Sequence, residues 1–165
     1  MRRLHYFSYG SNMFSSRLRG RGIKSATAKG AAVLHGHELK WDKRSNDESG
    51  KCHIICVAGS EVHGVLFEID EEEKPLLDKA EGLGKGYNER QVQVEGGFGS
   101  IEAWTYYATN VGSGLVPYTW YKAYVLAGAK EHGLPNWYIR KLESVVAIED
   151  PKRERHRKES EALLK

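Results

Sequence analysis

A chain of 165 residues with 40% hydrophobic and 28% charged side chains has the make-up of a soluble globular domain, long enough to bury a sizeable core. Its formal charge of +3 is too mild to mark a nucleic-acid surface, and no recognisable nucleic-acid module accompanies it. The sequence holds neither a run of about 18 apolar residues nor a signal peptide, so the expectation is a cytoplasmic protein without a membrane partner.

Residues 4–9, Leu-His-Tyr-Phe-Ser-Tyr, are rich in bulky and aromatic side chains that suit a strand. Gly10 breaks the run with backbone freedom that other residues lack. Ser11 and Asn12 are good N-caps for a short helix over residues 13–19 that stops near Gly20 or Gly22. Strand, glycine turn and helix start together leave several backbone N–H groups unpaired and facing one way, an arrangement that binds phosphate or carboxylate. Taken alone, such a turn is more often just a strand running into a helix.

Residues 26–34 and 38–41 read as strands around a turn at His35-Gly36-His37. The two histidines have no matching carboxylate or cysteine cluster, so they are expected to be turn residues rather than metal ligands. Residues 43–51 are polar and read as an exposed loop. Cys52 and Cys56 are expected to be buried free thiols in a reducing compartment. Strands follow at 53–57 and 62–69, the second interrupted by Gly64.

Asp70 can cap a helix through residues 71–81, whose regular part begins nearer Glu73 because Pro75 is best tolerated in a first turn. Gly82 offers the stop. Glu81 therefore sits at a helix end, where the dipole disfavours a carboxylate. The glycine-rich stretch at 82–86 follows a helix and precedes a strand, the reverse of a dinucleotide fingerprint, and is discounted. Strands are expected at 87–95 and 100–109. A helix from Tyr118 places Tyr121, Val125 and Ala129 along one side and ends at Gly133, and Pro135 opens another. Many strands joined by short Gly-rich turns point to an α+β fold with a small closed or strongly curved mixed sheet, barrel-like, and flanking helices. Residues 1–150 read as a single domain. The charged C-terminal tail, 151–165, reads as a solvated helix or frayed end.

Three motifs in this order resemble the gamma-glutamylcyclotransferase family and the wider AIG2-like superfamily. They are Tyr6-Phe7-Ser8-Tyr9-Gly10-Ser11-Asn12; Gly64-Val65-Leu66-Phe67 with Leu77-Asp78-Lys79-Ala80-Glu81-Gly82 and Tyr87; and Tyr121-Lys122 with the stretch Gly128-Ala129-Lys130-Glu131-His132-Gly133-Leu134-Pro135 and Tyr138. Asn12 separates the chain from glutathione-specific members, whose residue there is usually apolar, and from the gamma-glutamylamine branch, whose loop reads more like Tyr-Gly-Thr-Leu. The segment between Glu81 and Tyr87 is slightly shorter than in animal members, a departure that bears on substrate choice. The resemblance implies a barrel-like mixed sheet and catalysis without cofactor or metal. It makes Glu81 the acid/base, Tyr6, Phe7, Ser8, Tyr9, Gly10 and Ser11 the substrate cradle, and Tyr121 a further substrate contact. Several members are dimeric, so the resemblance leaves a homodimer open.

The reaction so implied closes a gamma-glutamyl amide into 5-oxoproline. The substrate's own alpha-amine attacks its gamma-carbonyl, so no enzyme nucleophile is needed, and no convincing nucleophile–base pair is visible in the sequence. One carboxylate suffices to take the proton from the alpha-amine and return it to the leaving amine. The Gly10-Ser11 backbone is expected to bind either the glutamyl carboxylate or the developing oxyanion. A narrower form of the same enzyme removes a gamma-glutamyl group in a biosynthetic pathway, and two other classes stay open: a non-catalytic small-molecule binder, and a mildly basic interaction protein using its tail on nucleic acid.

Overall fold

The aromatic opening of the chain is β1 (Arg3–Ser8), and its second half, Tyr6 to Ser8, is buried. The computed structural model describes residues 2–165. β1 pairs antiparallel with the C-terminal part of β3 (Gly50–Asp70) and parallel with β5 (Gly99–Ala108) through Tyr6 and Trp104. β2 (Thr27–Arg44) pairs with β3, and β4 (Tyr87–Gly96) links β2 to β5, closing a barrel in the order β1-β3-β2-β4-β5. Closure removes the free sheet edges and gives a small domain a two-sided core. Phe7, Val65, Leu66, Phe67, Ile69 and Val94 are fully buried there.

Gly64 is required by close approach. A Cβ there would collide with the Ser8 carbonyl and the Phe7 ring, so the glycine lets β1 and β3 press together where β1 carries its polar end. Helix α3 (Thr119–Glu131) lies against the turn after β1 in the same fashion. A Cβ on Gly128 would come within 2.5 Å of Met13 Cβ and the Phe14 nitrogen, so helix backbone packs on turn backbone.

Several expectations are corrected here. Residues 35–37 are not a turn: β2 runs on through them with a register shift at His35/His37, and Gly36 takes a positive φ of 73° inside that bulge. The strands expected at 53–57 and 62–69 are one strand, β3. The loop expected at 43–51 shrinks to a turn around Asp47, because Lys43 and Lys51 already stand opposite each other in the β2–β3 ladder. Ser11 and Asn12 are not caps of a helix over 13–19. They form a 3-10 turn with Met13, and α1 (Ser15–Gly20) starts after an extended Phe14 with no side-chain cap. Local propensity lost there to the packing of Met13 beneath α3.

α2 (Lys74–Glu81) follows a 3-10 turn at Glu71–Glu73, and Pro75 sits in its first turn. Leu77 is fully buried and Asp78 accepts a 2.6 Å hydrogen bond from the Tyr106 hydroxyl, which fixes the helix on the barrel mouth. Gly82 ends it in the left-handed conformation (φ 79°), with the Leu83 N–H bonded to the Asp78 carbonyl at 2.9 Å. α4 (Asn136–Glu143) and α5 (Arg153–Leu163) complete the chain. α5 is the charged tail of the sequence, and it is moored: Asp150 just before it is buried and holds Arg155, while Tyr124 and Arg17 both meet Glu159. Among the described residues no helix is long and apolar enough to cross a membrane.

Candidate active site

The barrel mouth beneath α2 opens into a pocket whose wall includes every site residue singled out in the sequence: residues 6–11, Glu81 and Tyr121. These come from three distant segments. β1 and the turn behind it supply the first group, the C-terminal end of α2 supplies Glu81, and the first turn of α3 supplies Tyr121.

Glu81 is held on one side only. Its Oε1 accepts hydrogen bonds from the Tyr6 hydroxyl at 3.0 Å and from Asn12 Nδ2 at 2.7 Å. Among the described residues nothing donates to Oε2. Both donors are neutral. Burial, reinforced by the negative charge of Glu81, pushes the Tyr6 phenol well above its usual range, so it stays a protonated donor. Asn12 is itself oriented, because its Oδ1 accepts from Arg21 Nη1 at 3.2 Å and so turns the NH₂ toward Glu81. Asn12 reads in the sequence only as a cap or a member of the motif. Its partner lies 69 residues away, and no local signal reveals it.

The remaining predicted residues take distinct places. Tyr6 and Ser8 share one face of β1, and the Ser8 Oγ is buried without any hydrogen-bond partner. Phe7 has no exposed surface and forms wall rather than a contact surface, while its carbonyl accepts from Thr105 Oγ1 at 2.9 Å. The Tyr9 hydroxyl donates to the Tyr106 carbonyl at 2.5 Å and braces the turn. Gly10 has φ −119°, so backbone freedom is not what it supplies. It supplies room: a Cβ there would lie 3.2 Å from the Tyr121 hydroxyl and 3.3 Å from Cys52 Cβ. The N–H groups of Gly10, Ser11 and Asn12 donate to nothing among the described residues, and the turn's first bond is Met13 N–H to the Gly10 carbonyl at 3.1 Å. Tyr121 accepts the Cys52 N–H at 3.1 Å and is buried beside that turn.

Four cations also line the pocket, and none was expected there: Arg17, Arg21, Lys43 and Lys51. Arg17 is not a surface charge. Its guanidinium lies 4.3 Å from the Tyr124 ring centroid, its Nε donates to Ser11 Oγ at 3.1 Å, and burial lowers its pKa. Cys52 is a buried free thiol as expected, and burial pushes it above its usual range, whereas Cys56 is exposed. No group of three or more metal-ligating side chains gathers among the described residues.

A family model described as AIG2-like matches residues 61–142. Gamma-glutamylcyclotransferase of Bos taurus is 34% identical over 85% of this chain and 77% of its own length, and that of Homo sapiens is 33% identical over the same shares. The chain belongs to the gamma-glutamylcyclotransferase family. A solved gamma-glutamyl cyclotransferase, 27% identical, superposes with a TM-score of 0.82 over 95% of this chain and 99% of its own. YkqA of Bacillus subtilis, 23% identical, shares the fold with a TM-score of 0.78 over 89% of this chain and 56% of its own. The barrel with flanking helices is thus the fold of gamma-glutamylcyclotransferases, and the pocket lies at its mouth.

Proposed function

We propose that this chain converts a gamma-glutamyl compound to 5-oxoproline and a free amine, with Glu81 as the general acid/base. The observation that carries the reading is the state of that carboxylate: Oε1 is fastened by two neutral donors and Oε2 is left to the pocket. An unengaged oxygen on a fixed carboxylate is where a proton is exchanged.

In this reading the alpha-ammonium of the substrate gives a proton to Glu81 Oε2. The freed amine attacks the gamma-carbonyl carbon, forming the C–N bond of a five-membered ring. Negative charge gathers on the carbonyl oxygen, and the unpaired N–H groups of Gly10 and Ser11, with the unpartnered Ser8 hydroxyl, are the donors available to it. Protonated Glu81 then returns its proton to the departing nitrogen, the old C–N bond breaks as the carbonyl re-forms, and the second proton of the ring nitrogen passes through Glu81 to the released amine. Arg21, which has no carboxylate partner among the described residues, is placed to hold the glutamyl alpha-carboxylate. Tyr6 serves Glu81 more directly than it serves the substrate.

The test is release of 5-oxoproline from gamma-glutamyl-alanine, gamma-glutamyl-lysine derivatives and glutathione, with Glu81→Gln beside the wild type. Turnover of any one, lost in the variant, is the expected result. Intact substrates that nevertheless bind would turn the pocket into a ligand carrier and sink the enzymatic reading.

A further inference from the structure

The loop that sequence reading assigned to residues 43–51 hides an unusual pair. Lys43 and Lys51 are direct partners in the antiparallel β2–β3 ladder, so their side chains leave the same face, and both line the pocket. Like charges directly opposite on a ladder destabilise it, and burial adds a desolvation cost. Both ammonium groups are pulled below the usual lysine range by burial, and Lys51 further by Arg17, Arg21 and Lys43. Only Lys51 is paired: Asp47 Oδ2 lies 3.5 Å from its Nζ. Lys43 has no carboxylate partner among the described residues; its Nζ sits 4.7 Å from the Tyr87 ring centroid. Gly86 (φ 126°) makes room for it, since a Cβ there would come 3.1 Å from Lys43 Cε and Nζ.

The charge balance of the pocket points the same way. Arg17, Arg21, Lys43 and Lys51 line the pocket with Glu81 as its one carboxylate; once the ion pairs of Lys51 with Asp47 and of Arg17 with Glu159, neither of which lines it, are counted, one positive charge is left in excess. A gamma-glutamyl derivative of a neutral amino acid carries one ammonium and two carboxylates, and so balances that excess. A gamma-glutamyl derivative of a simple amine carries no net charge, and that of a polyamine is repelled. Arg21 stands beside Asn12 and Glu81, where the glutamyl end lies, whereas Lys43 stands over the Gly86-Tyr87 wall.

We propose that the Lys43–Lys51 pair is a second anion subsite that reads the carboxylate of the departing group, with Lys43 as its specificity-determining residue. The inference rests on the cyclotransferase reading for the orientation of the substrate, while the anion subsite itself rests on the ladder. Lys43 and Gly86 together explain how the short segment after Glu81 bears on substrate choice: it forms the wall against which the lysine lies.

Gamma-glutamyl-alanine and gamma-glutamyl-ethylamide differ only in that carboxylate, and they make the test. The wild type is expected to favour the alanine compound in kcat/KM by roughly 10–100-fold. Lys43→Met should collapse the ratio to within a few-fold, Lys51→Met should reduce it less because Asp47 already shares that charge, and Lys43→Arg should keep most of it. A ratio unchanged in Lys43→Met, or a wild type indifferent to the carboxylate, overturns the proposal. If neither compound is turned over, calorimetric binding of the same two compounds decides the subsite. Preference for the alanine compound, lost in Lys43→Met, sustains it, and equal binding or none rejects it.

Discussion

Two carboxylates in this molecule are treated in opposite ways. Asp150, at the junction with α5, has no exposed side-chain surface and is saturated: Arg155 grips both oxygens, Trp120 Nε1 donates at 2.9 Å and the Lys152 N–H at 2.9 Å. The Arg155 guanidinium, ahead of the other donors, holds its carboxyl well below the usual carboxylate range. Glu81, at the barrel mouth, meets only a phenol and an amide, and through one oxygen. An acid meant to hold parts together is given a cation and every available donor. The acid proposed to exchange protons is held by neutral donors on one oxygen. The environment separates the two roles.

Exchanging the treatment should therefore exchange the consequence. Glu81→Gln should lower kcat by about 10³–10⁴-fold while the melting temperature holds or rises, since it removes the proposed general acid/base and no structural ion pair. A variant that melts several degrees lower would place Glu81 with Asp150. Asn12→Ala, which takes away the 2.7 Å donor and unhooks Arg21, should cost about 10–100-fold in kcat. Tyr6→Phe should cost less, about 10-fold, because its 3.0 Å bond leaves Asn12 in place.

Asp150→Asn should do the reverse, lowering the melting temperature by roughly 5–10 °C with little change in kcat. Its pH dependence has a definite sign. The folded pKa of Asp150 lies below its unfolded value, so the stabilisation is complete above the unfolded value and drains as pH falls through the folded one. The gap in melting temperature between wild type and Asp150→Asn should be constant above about pH 5 and narrow below about pH 4. A gap that grew on acidification would contradict the assignment. Smallest of all, Arg155→Lys keeps the charge but loses the fork, and should lower the melting temperature by a few degrees at most.

The sequence carried the parts of this picture that are local. The aromatic run before Gly10, the Gly82 stop behind Glu81 and the helical spacing of Tyr121, Val125 and Ala129 each express a rule that acts within one turn or one strand, and each element stands where it was expected. A closed mixed barrel followed from many short strand signals. What escaped was set across the sheet. The two strands expected on either side of Gly36 are one because β3 continues opposite both. Ser11 and Asn12 lost their cap roles because Gly128 lets α3 press on their turn. Asn12 meets Glu81, and Lys43 stands opposite Lys51, through pairings with no sequence period at all. Even the charged C-terminal helix, with its mixed signs and weak apolar face, is ordered by three contacts made from elsewhere: Arg155 to Asp150, and Tyr124 and Arg17 to Glu159.

Closure of the ring through Tyr6 and Trp104 has a consequence in time as well as in space. β1 is made first, yet its parallel neighbour β5 lies almost a hundred residues later, and such non-local pairing is slow to form because loop entropy must be spent before the contact rewards it. The hairpins β2–β3 and β4–β5 join neighbouring segments and have no such wait. Glu81 lies in the segment between the two hairpins, and its anchors Tyr6 and Asn12 are carried by β1 and the turn behind it. Catalytic competence should accordingly emerge with the last refolding phase rather than with collapse, and a nascent chain that ends before β5 should be inert.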